Sequence, residues 1–282
     1  MYLGTPAAAV PPLVALHAAG FDIALVVTGE DRRRGRGNER TPTAVKAAAE
    51  ELGLPVSHDL DAVAGRGADL GVVVAFGRLI PVDLLAVLPM VNLHFSLLPR
   101  WRGAAPVERA ILAGDEQTGV CVMAVEEGLD TGGIYAREVL EVGGDSADML
   151  RDRLVAAGSS LLVDTLHAGL GPVAPQVGPT TYAHRIESAD RRLVWDRPAA
   201  DLARIVRIGG AWATFRGERL KVWDASVVDH GSPAGAGTLL GDVVATGDGG
   251  LRLLEVQPRD RRRMPAAAWL SGARPEPGEC MG

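Results

Sequence analysis

Asn92 and His94 stand two residues apart at the end of the apolar run Met90-Val91-Asn92-Leu93-His94. On an extended strand, side chains two apart leave from the same face. A carboxylate is offered further along by "EEGLDTGG" (Glu126 to Gly133), which places Asp130 in a loop after the apolar run "GVCVMAV". Gly128, Gly132 and Gly133 let the backbone of that loop approach a ligand closely. An amide, an imidazole and a carboxylate converging at strand ends can serve acyl transfer. Asn92 can donate to a developing oxyanion, and His94 can donate to it or relay a proton. Asp130 can fix the imidazole tautomer or accept the proton of an attacking amine. Taken singly, a histidine at a strand end and a glycine-rich turn are also compatible with structural roles.

Other chemistries find less support. Ser96 lacks the flanking glycines of a nucleophile elbow, and "RGRGN" lacks the spacing of a dinucleotide-binding turn. Cys121 and Cys280 are too few for a disulfide framework, and no Cys/His cluster has zinc-ligand spacing, so no metal is expected.

The elements that must position these residues alternate. "IALVVT" (Ile23 to Thr28), "LGVVVAF" (Leu70 to Phe76) and Met90 to Leu93 read as buried strands, separated by helices over Ala7–Ala19, Pro42–Leu52 and the segment "LIPVDLLAVL". A helix from Ala104 to Ala113, strands "GVCVMAV" and "IYAREVLEV", and a long helix from Ala147 to about Leu166 complete the pattern. Strands joined by helical crossovers predict an α/β fold with a doubly wound, Rossmann-like sheet, whose ligands bind at the carboxyl ends of strands. After residue 168 the pattern changes. "GLGPVAPQVGPTTYA" has the composition of a linker, and short alternating strands beyond Arg191 predict a small β-barrel. The expected domains are 1–168, a linker at 169–190, and 191–282 ending in a disordered tail, "ARPEPGECMG".

Of 282 residues, 47% are hydrophobic and 23% charged, enough to bury a real core; the net charge of −6 argues against a chain that coats nucleic acid indiscriminately. Contact with nucleic acid must then use local patches: Arg32, Arg33, Arg34, Arg36 and Arg40, or Arg259, Arg261, Arg262 and Arg263. The first basic residue is Arg32 and no apolar run approaches the ~20 residues of a membrane helix, so the expected location is the cytoplasm, with no membrane partner.

Asn-x-His-x-Ser-Leu-Leu-Pro (Asn92 to Pro99) with a downstream Leu-Asp-Thr-Gly (Leu129 to Gly132) resembles the folate-dependent formyltransferases. The longer stretches "HFSLLPRWRGAAPVERAILAGDEQTGV" and "EEGLDTGG", with "GTPAAAVPPLVAL", "VVAFGRLIP", "RGERLKVW" and "GDGGLRLLEVQPRDRRRM", resemble the methionyl-tRNA formyltransferase family among them. The resemblance runs through nearly the whole chain. It implies a formyltransferase domain followed by a small OB-like β-barrel, with Asn92, His94 and Asp130 as the catalytic trio. It implies that 10-formyltetrahydrofolate is the co-substrate, held by Phe76, Gly77, Ile80, Pro81, Ser96, Leu97, Leu98, Pro99, Glu126, Gly128, Leu129 and Thr131. It implies transfer to the α-amine of initiator methionyl-tRNA by a monomer, for translation initiation. Arg32, Arg33, Arg34, Arg36 and Arg40 would then contact the acceptor stem, with Arg262 contributing from the second domain. The same trio would serve a formyltransferase acting on an amino-sugar nucleotide, a 10-formyltetrahydrofolate hydrolase, or, without turnover, a folate- or RNA-binding relative. Two departures stand out. Only Met1-Tyr2-Leu3 precedes the Gly-Thr-Pro, where the family usually has more of the first strand, and this is expected to reduce stability. "VRIGGAWATF" (Val206 to Phe215) lacks the family's usual Asn-Pro-Trp-Pro-Gly-like segment, so the packing of the second domain is expected to differ.

Overall fold

A run of β-branched residues with no polar face needs burial on both sides, and Gly71–Val74 is buried at every position. The computed structural model, which describes residues 1–33, 40–63, 65–229 and 234–282, places this run inside a seven-stranded sheet. The strands are β1 (Tyr2–Gly4), β2 (Val26–Val27), β3 (Val56–Ser57), β4 (Gly71–Val74), β5 (Met90–His94), β6 (Gln117–Ala124) and β7 (Ile134–Glu141). Their order is β7-β6-β5-β4-β1-β2-β3. The five strands from β3 to β5 run parallel, while β6 and β7 are antiparallel additions. The order reverses at β1, so the sheet is doubly wound with its crevice at the carboxyl ends of β1 and β4, next to β5.

The chain divides into two units, Met1–Val107 with Glu116–Gly143 and Met149–His184, and Glu108–Asp115 with Gly144–Asp148 and Arg185–Gly282. In the first, β1 is short but central, and all its residues are buried. The Tyr2 hydroxyl donates to the Ala9 carbonyl, and a Cβ on Gly4 would lie 2.8 Å from that of Ala9, so strand and following helix pack tightly. The helix Val10–Ala18 accommodates Pro11 and Pro12 in its first turn, where their missing N–H groups cost nothing. Thr43 caps the helix Ala44–Glu51 by accepting from the Lys46 N–H. The long helix Ala147–His167 covers the back of the sheet at Gly158, where a Cβ would sit 3.0 Å from Val120 and 3.2 Å from Leu93. Leu93 faces away from Asn92 and His94, so this packing backs the strand that carries them.

The segment 169–190, read as a linker, has little regular structure, and its part up to His184 is stitched to the first unit. Ala174 and Ile134 exchange backbone hydrogen bonds of 2.9 and 2.8 Å, and Tyr182–Ala183 pairs in parallel with Arg102–Gly103. The stretch "RWRG" is therefore a turn and a short strand, and the helix after it begins at Pro106.

The second unit is a six-stranded sheet of β8 (Ala211–Phe215), β9 (Glu218–Val228), β10 (Leu239–Leu240), β11 (Val243–Ala245), β12 (Gly250–Pro258) and β13 (Met264–Pro265). Every pairing in it is antiparallel. Gly209 and Gly210, both at positive φ, turn the chain from helix Ala199–Arg207 into β8 where the family's prolines are missing. The tail is ordered, against the expectation from its composition. Phe215 bridges to Met281 and Thr238 to Cys280, so the last residues lie between the two edge strands β8 and β10. Met281 is buried, and Glu279 takes both Arg216 Nε at 2.6 Å and Nη2 at 2.8 Å. An apolar side chain and a bidentate ion pair outweigh the flexibility implied by neighbouring Pro and Gly.

Candidate active site

Asn92 and His94 leave β5 on one face, as their spacing requires. His94 is 5% exposed. Its Nε2 lies 2.9 Å from the Trp101 carbonyl oxygen, an acceptor only, which assigns the proton to Nε2. Nδ1 is then the nitrogen that faces Asp130, 3.6 Å from Oδ2. Asn92 Nδ2 approaches Asp130 Oδ1 at 3.5 Å. The amide, imidazole and carboxylate anticipated from sequence are thus brought together.

Two turns hold them. In the first, Ser96 is fully buried and its hydroxyl donates to the Arg100 carbonyl at 2.6 Å. Leu98–Pro99 is cis and Trp101 has φ +63°. Trp101 donates its N–H to Thr181 Oγ1 at 2.9 Å, which fixes the carbonyl that His94 uses. In the second turn Asp130 itself has φ +49°, a left-handed conformation that costs a non-glycine residue roughly 1–2 kcal/mol. The Gly103 N–H donates to its Oδ2 at 2.7 Å. A Cβ on Gly132 would overlap the Ala124 carbonyl, so the loop closes only with glycine there, and one on Gly128 would lie 2.5 Å from Thr131 Oγ1, so that side chain would have to shift.

Beside the trio, Phe76 lies in an apolar cluster against which Ile80 and Val125 pack, joining the 76–81 segment to the strand end that leads into Glu126–Thr131. Gly77 turns at φ +71°, and Pro81 is exposed. Leu98 and Pro99 are buried and Leu97 is half-buried, whereas Glu126, Gly128, Leu129 and Thr131 are exposed. A flat heteroaromatic ring needs apolar walls and backbone hydrogen-bonding groups, and a formyl oxygen needs donors. The Phe76 cluster, the open loop and the Asn92 amide supply these, so the residues present fit a formylated pterin cofactor. Among the described residues, no group of three or more His, Cys, Asp or Glu could hold a metal.

Of the arginines expected to meet RNA, Arg34 and Arg36 lie outside the described residues. Arg32–Arg33 pairs with Arg40–Thr41 as a short antiparallel ladder, and Arg40 is exposed. Arg262 is exposed on the second unit. There sequence reading missed an outward face on β8 and β9. Arg219 lies 4.3 Å from the Trp212 ring, and Arg263 3.3 Å and Lys221 5.6 Å from the Trp223 ring. Alternation was the available signal, since Leu220 and Val222 are buried while Lys221 and Trp223 are not. The reading also missed Gln176, Trp101 and Thr181, whose contacts join distant parts of the chain.

The family model "Formyl transferase" matches residues 3–166, and "Formyl transferase, C-terminal domain" matches 185–274. A methionyl-tRNA formyltransferase of Roseobacter denitrificans is 40% identical over 99% of this chain and 97% of its own. One of Paracoccus denitrificans is 42% identical over 96% of each. Among solved structures, an N-formyltransferase from Helicobacter canadensis, in complex with folinic acid and dTDP-3-aminofucose, matches with a TM-score of 0.71 at 15% identity, over 91% of this chain and 98% of that one. HypX from Aquifex aeolicus, in complex with tetrahydrofolic acid, matches with a TM-score of 0.60 at 19% identity, over 83% of this chain and 45% of that one. These two share the fold.

Proposed function

The chain belongs to the methionyl-tRNA formyltransferase family and transfers a formyl group from 10-formyltetrahydrofolate to methionyl-tRNA, and we propose that Asn92, His94 and Asp130 carry out the transfer. The observation that carries this reading is the commitment of His94 Nε2 to the Trp101 carbonyl, which leaves Nδ1 beside Asp130.

Transfer makes one C–N bond to the methionyl amine and breaks one to the folate nitrogen, while a proton passes from the amine to the nitrogen that leaves. As the amine attacks, negative charge grows on the formyl oxygen. Asn92 Nδ2 donates to that oxygen, and His94 donates from Nδ1 when its ring carries both protons. Asp130 receives the proton of the amine. Its Oδ2 already accepts from Gly103, whereas Oδ1 has only the 3.5 Å approach of Asn92, so Oδ1 is the oxygen with lone pairs left to take the proton. Loss of one preorganised donor of this kind costs about 2.7–4 kcal/mol in the transition state. Phe76, Ile80, Pro81, the Ser96–Pro99 turn and the Glu126–Thr131 loop hold the folate.

The acceptor stem of initiator methionyl-tRNA is met by Arg32, Arg33, Arg34, Arg36 and Arg40 and, on the second unit, by Arg262 and by the outward face of Trp212, Arg219, Lys221 and Trp223. The protein acts as a monomer in the cytoplasm; no helix among the described residues is long and apolar enough to cross a membrane. The test is formyl transfer from 10-formyltetrahydrofolate to methionyl-tRNA, run beside an amino-sugar nucleotide and a no-acceptor control. Transfer to the tRNA alone is the expected result. Transfer only to the sugar, or formyl loss without acceptor, would keep the chemistry and overturn the acceptor.

A further inference from the structure

We propose that Gln176 is a positioning residue for Asp130, its carboxamide holding the left-handed turn from which the Asp130 carboxylate reaches His94. The proposal rests on the reading of Asn92, His94 and Asp130 as the transfer site. Gln176 is half-buried, whereas every other residue from 171 to 180 is exposed. Its Nε2 donates to the carbonyl oxygens of Asp130 and Gly132, each at 2.8 Å. Its Oε1 accepts from Arg102 Nε at 3.1 Å and Nη2 at 2.6 Å.

This arrangement can run only one way. Exchanging the nitrogen and oxygen of the carboxamide would set a carbonyl against two carbonyls and an amino group against a guanidinium. Both amide hydrogens are used on one turn, across the residue whose φ is +49°, so the carboxamide opposes relaxation of that backbone to a right-handed conformation. The same short segment also grips the other end of Asp130. Arg102 fixes Gln176, and the next residue, Gly103, donates its N–H to Asp130 Oδ2. Backbone and carboxylate of Asp130 are thereby referred to one frame, which sets the 3.6 Å approach of Oδ2 to His94.

Single-turnover formyl transfer is measured for the wild type, Gln176→Ala, Gln176→Glu, Asp130→Ala and the double variant Gln176→Ala/Asp130→Ala. The KM for methionyl-tRNA and the melting temperature are measured alongside. Gln176→Ala is expected to slow transfer roughly a hundredfold, the scale of an ångström-level misplacement, with the KM for methionyl-tRNA little changed. Gln176→Glu keeps a partner for Arg102 but offers the two carbonyls no donor at neutral pH, so it is expected to be slow as well. In the Asp130→Ala background, the change at Gln176 is expected to cost nothing further, because its effect runs through the carboxylate. A strap that merely ties down 170–183 would give the same proportional loss in both backgrounds, with Gln176→Glu close to wild type, and either result would overturn the proposal. A Gln176→Ala enzyme as fast as an active wild type overturns it alone, whereas a wild type that forms no formylmethionyl-tRNA overturns the underlying reading with it.

Discussion

The parallel sheet of the first unit and the antiparallel sheet of the second use polar residues in opposite ways. In the first, the central parallel strands are buried on both faces and chemistry is confined to one strand end, where Asn92, His94, the Trp101 carbonyl, Asp130 and Gln176 meet through contacts between residues as many as 46 apart. In the second, β8 and the first half of β9 have one core face and one outward face, so Trp212, Lys221 and Trp223 alternate with buried Ala213, Leu220 and Val222. A parallel sheet concentrates function at a point, because side chains along the strand are all needed for packing. An antiparallel sheet with one free face spreads function over a surface. The first should fail abruptly when a single contact is spoiled, and the second gradually.

Of changes away from the reacting groups, the largest effect should come from Gly132→Ala, because the added Cβ has the Ala124 carbonyl in its way. Overpacking of this kind costs about 1–3 kcal/mol, and the rebuilt turn should lower kcat by about a hundredfold or more. A steady-state assay with a melting curve separates the two. Trp223→Ala should instead raise the KM for methionyl-tRNA on the order of tenfold with kcat unchanged, since stacking on bases tolerates sequence and adds along a surface. If kcat fell as sharply as for Gly132→Ala, the contrast between the sheets would be wrong.

A smaller effect should appear at the closure of the second sheet. The hydrogen bonds from Arg216 hold the Glu279 carboxyl below its usual value. A carboxyl depressed in the folded state contributes stability above the unfolded pKa, and that contribution is lost as pH falls through the folded value. Arg216→Ala should therefore lower the melting temperature slightly at neutral pH, and the difference should vanish in acid. The smallest effect is chemical. Cys280 is exposed, whereas burial pushes up the pKa of the Cys121 thiol. A thiol reagent should label Cys280 in the native protein and Cys121 only on unfolding, with formyl transfer unaffected by the first.

Much of this was legible in the sequence wherever periodicity and position coincide. Asn92 and His94 were placed by alternation and by their location at a strand end, and the doubly wound sheet by its alternating strands and helices. The local signal ended where contacts are distant or composition misleads. Gln176 sits in a proline- and glycine-rich stretch that reads as a linker, and only folding sets its amide on the turn at Asp130. The tail looked disordered because nothing local tells Met281 that a slot exists between β8 and β10, or Glu279 that Arg216 waits there. The left-handed conformation at Trp101 was equally hidden, since a bulky aromatic residue seldom adopts positive φ, whereas Asp130 is of a type that does so more often.

The central claim is that Asp130 acts in the transfer itself and not in holding the folate. Its most direct test is Asp130→Asn, which keeps the shape of the side chain, measured by single-turnover formyl transfer and by titration with tetrahydrofolate. The account predicts a transfer rate lower by roughly 10²–10⁴-fold, the range for loss of a proton-transfer group, with tetrahydrofolate affinity nearly unchanged. A variant that transfers formyl at close to the wild-type rate, or one whose loss is wholly explained by weaker folate binding, would contradict it.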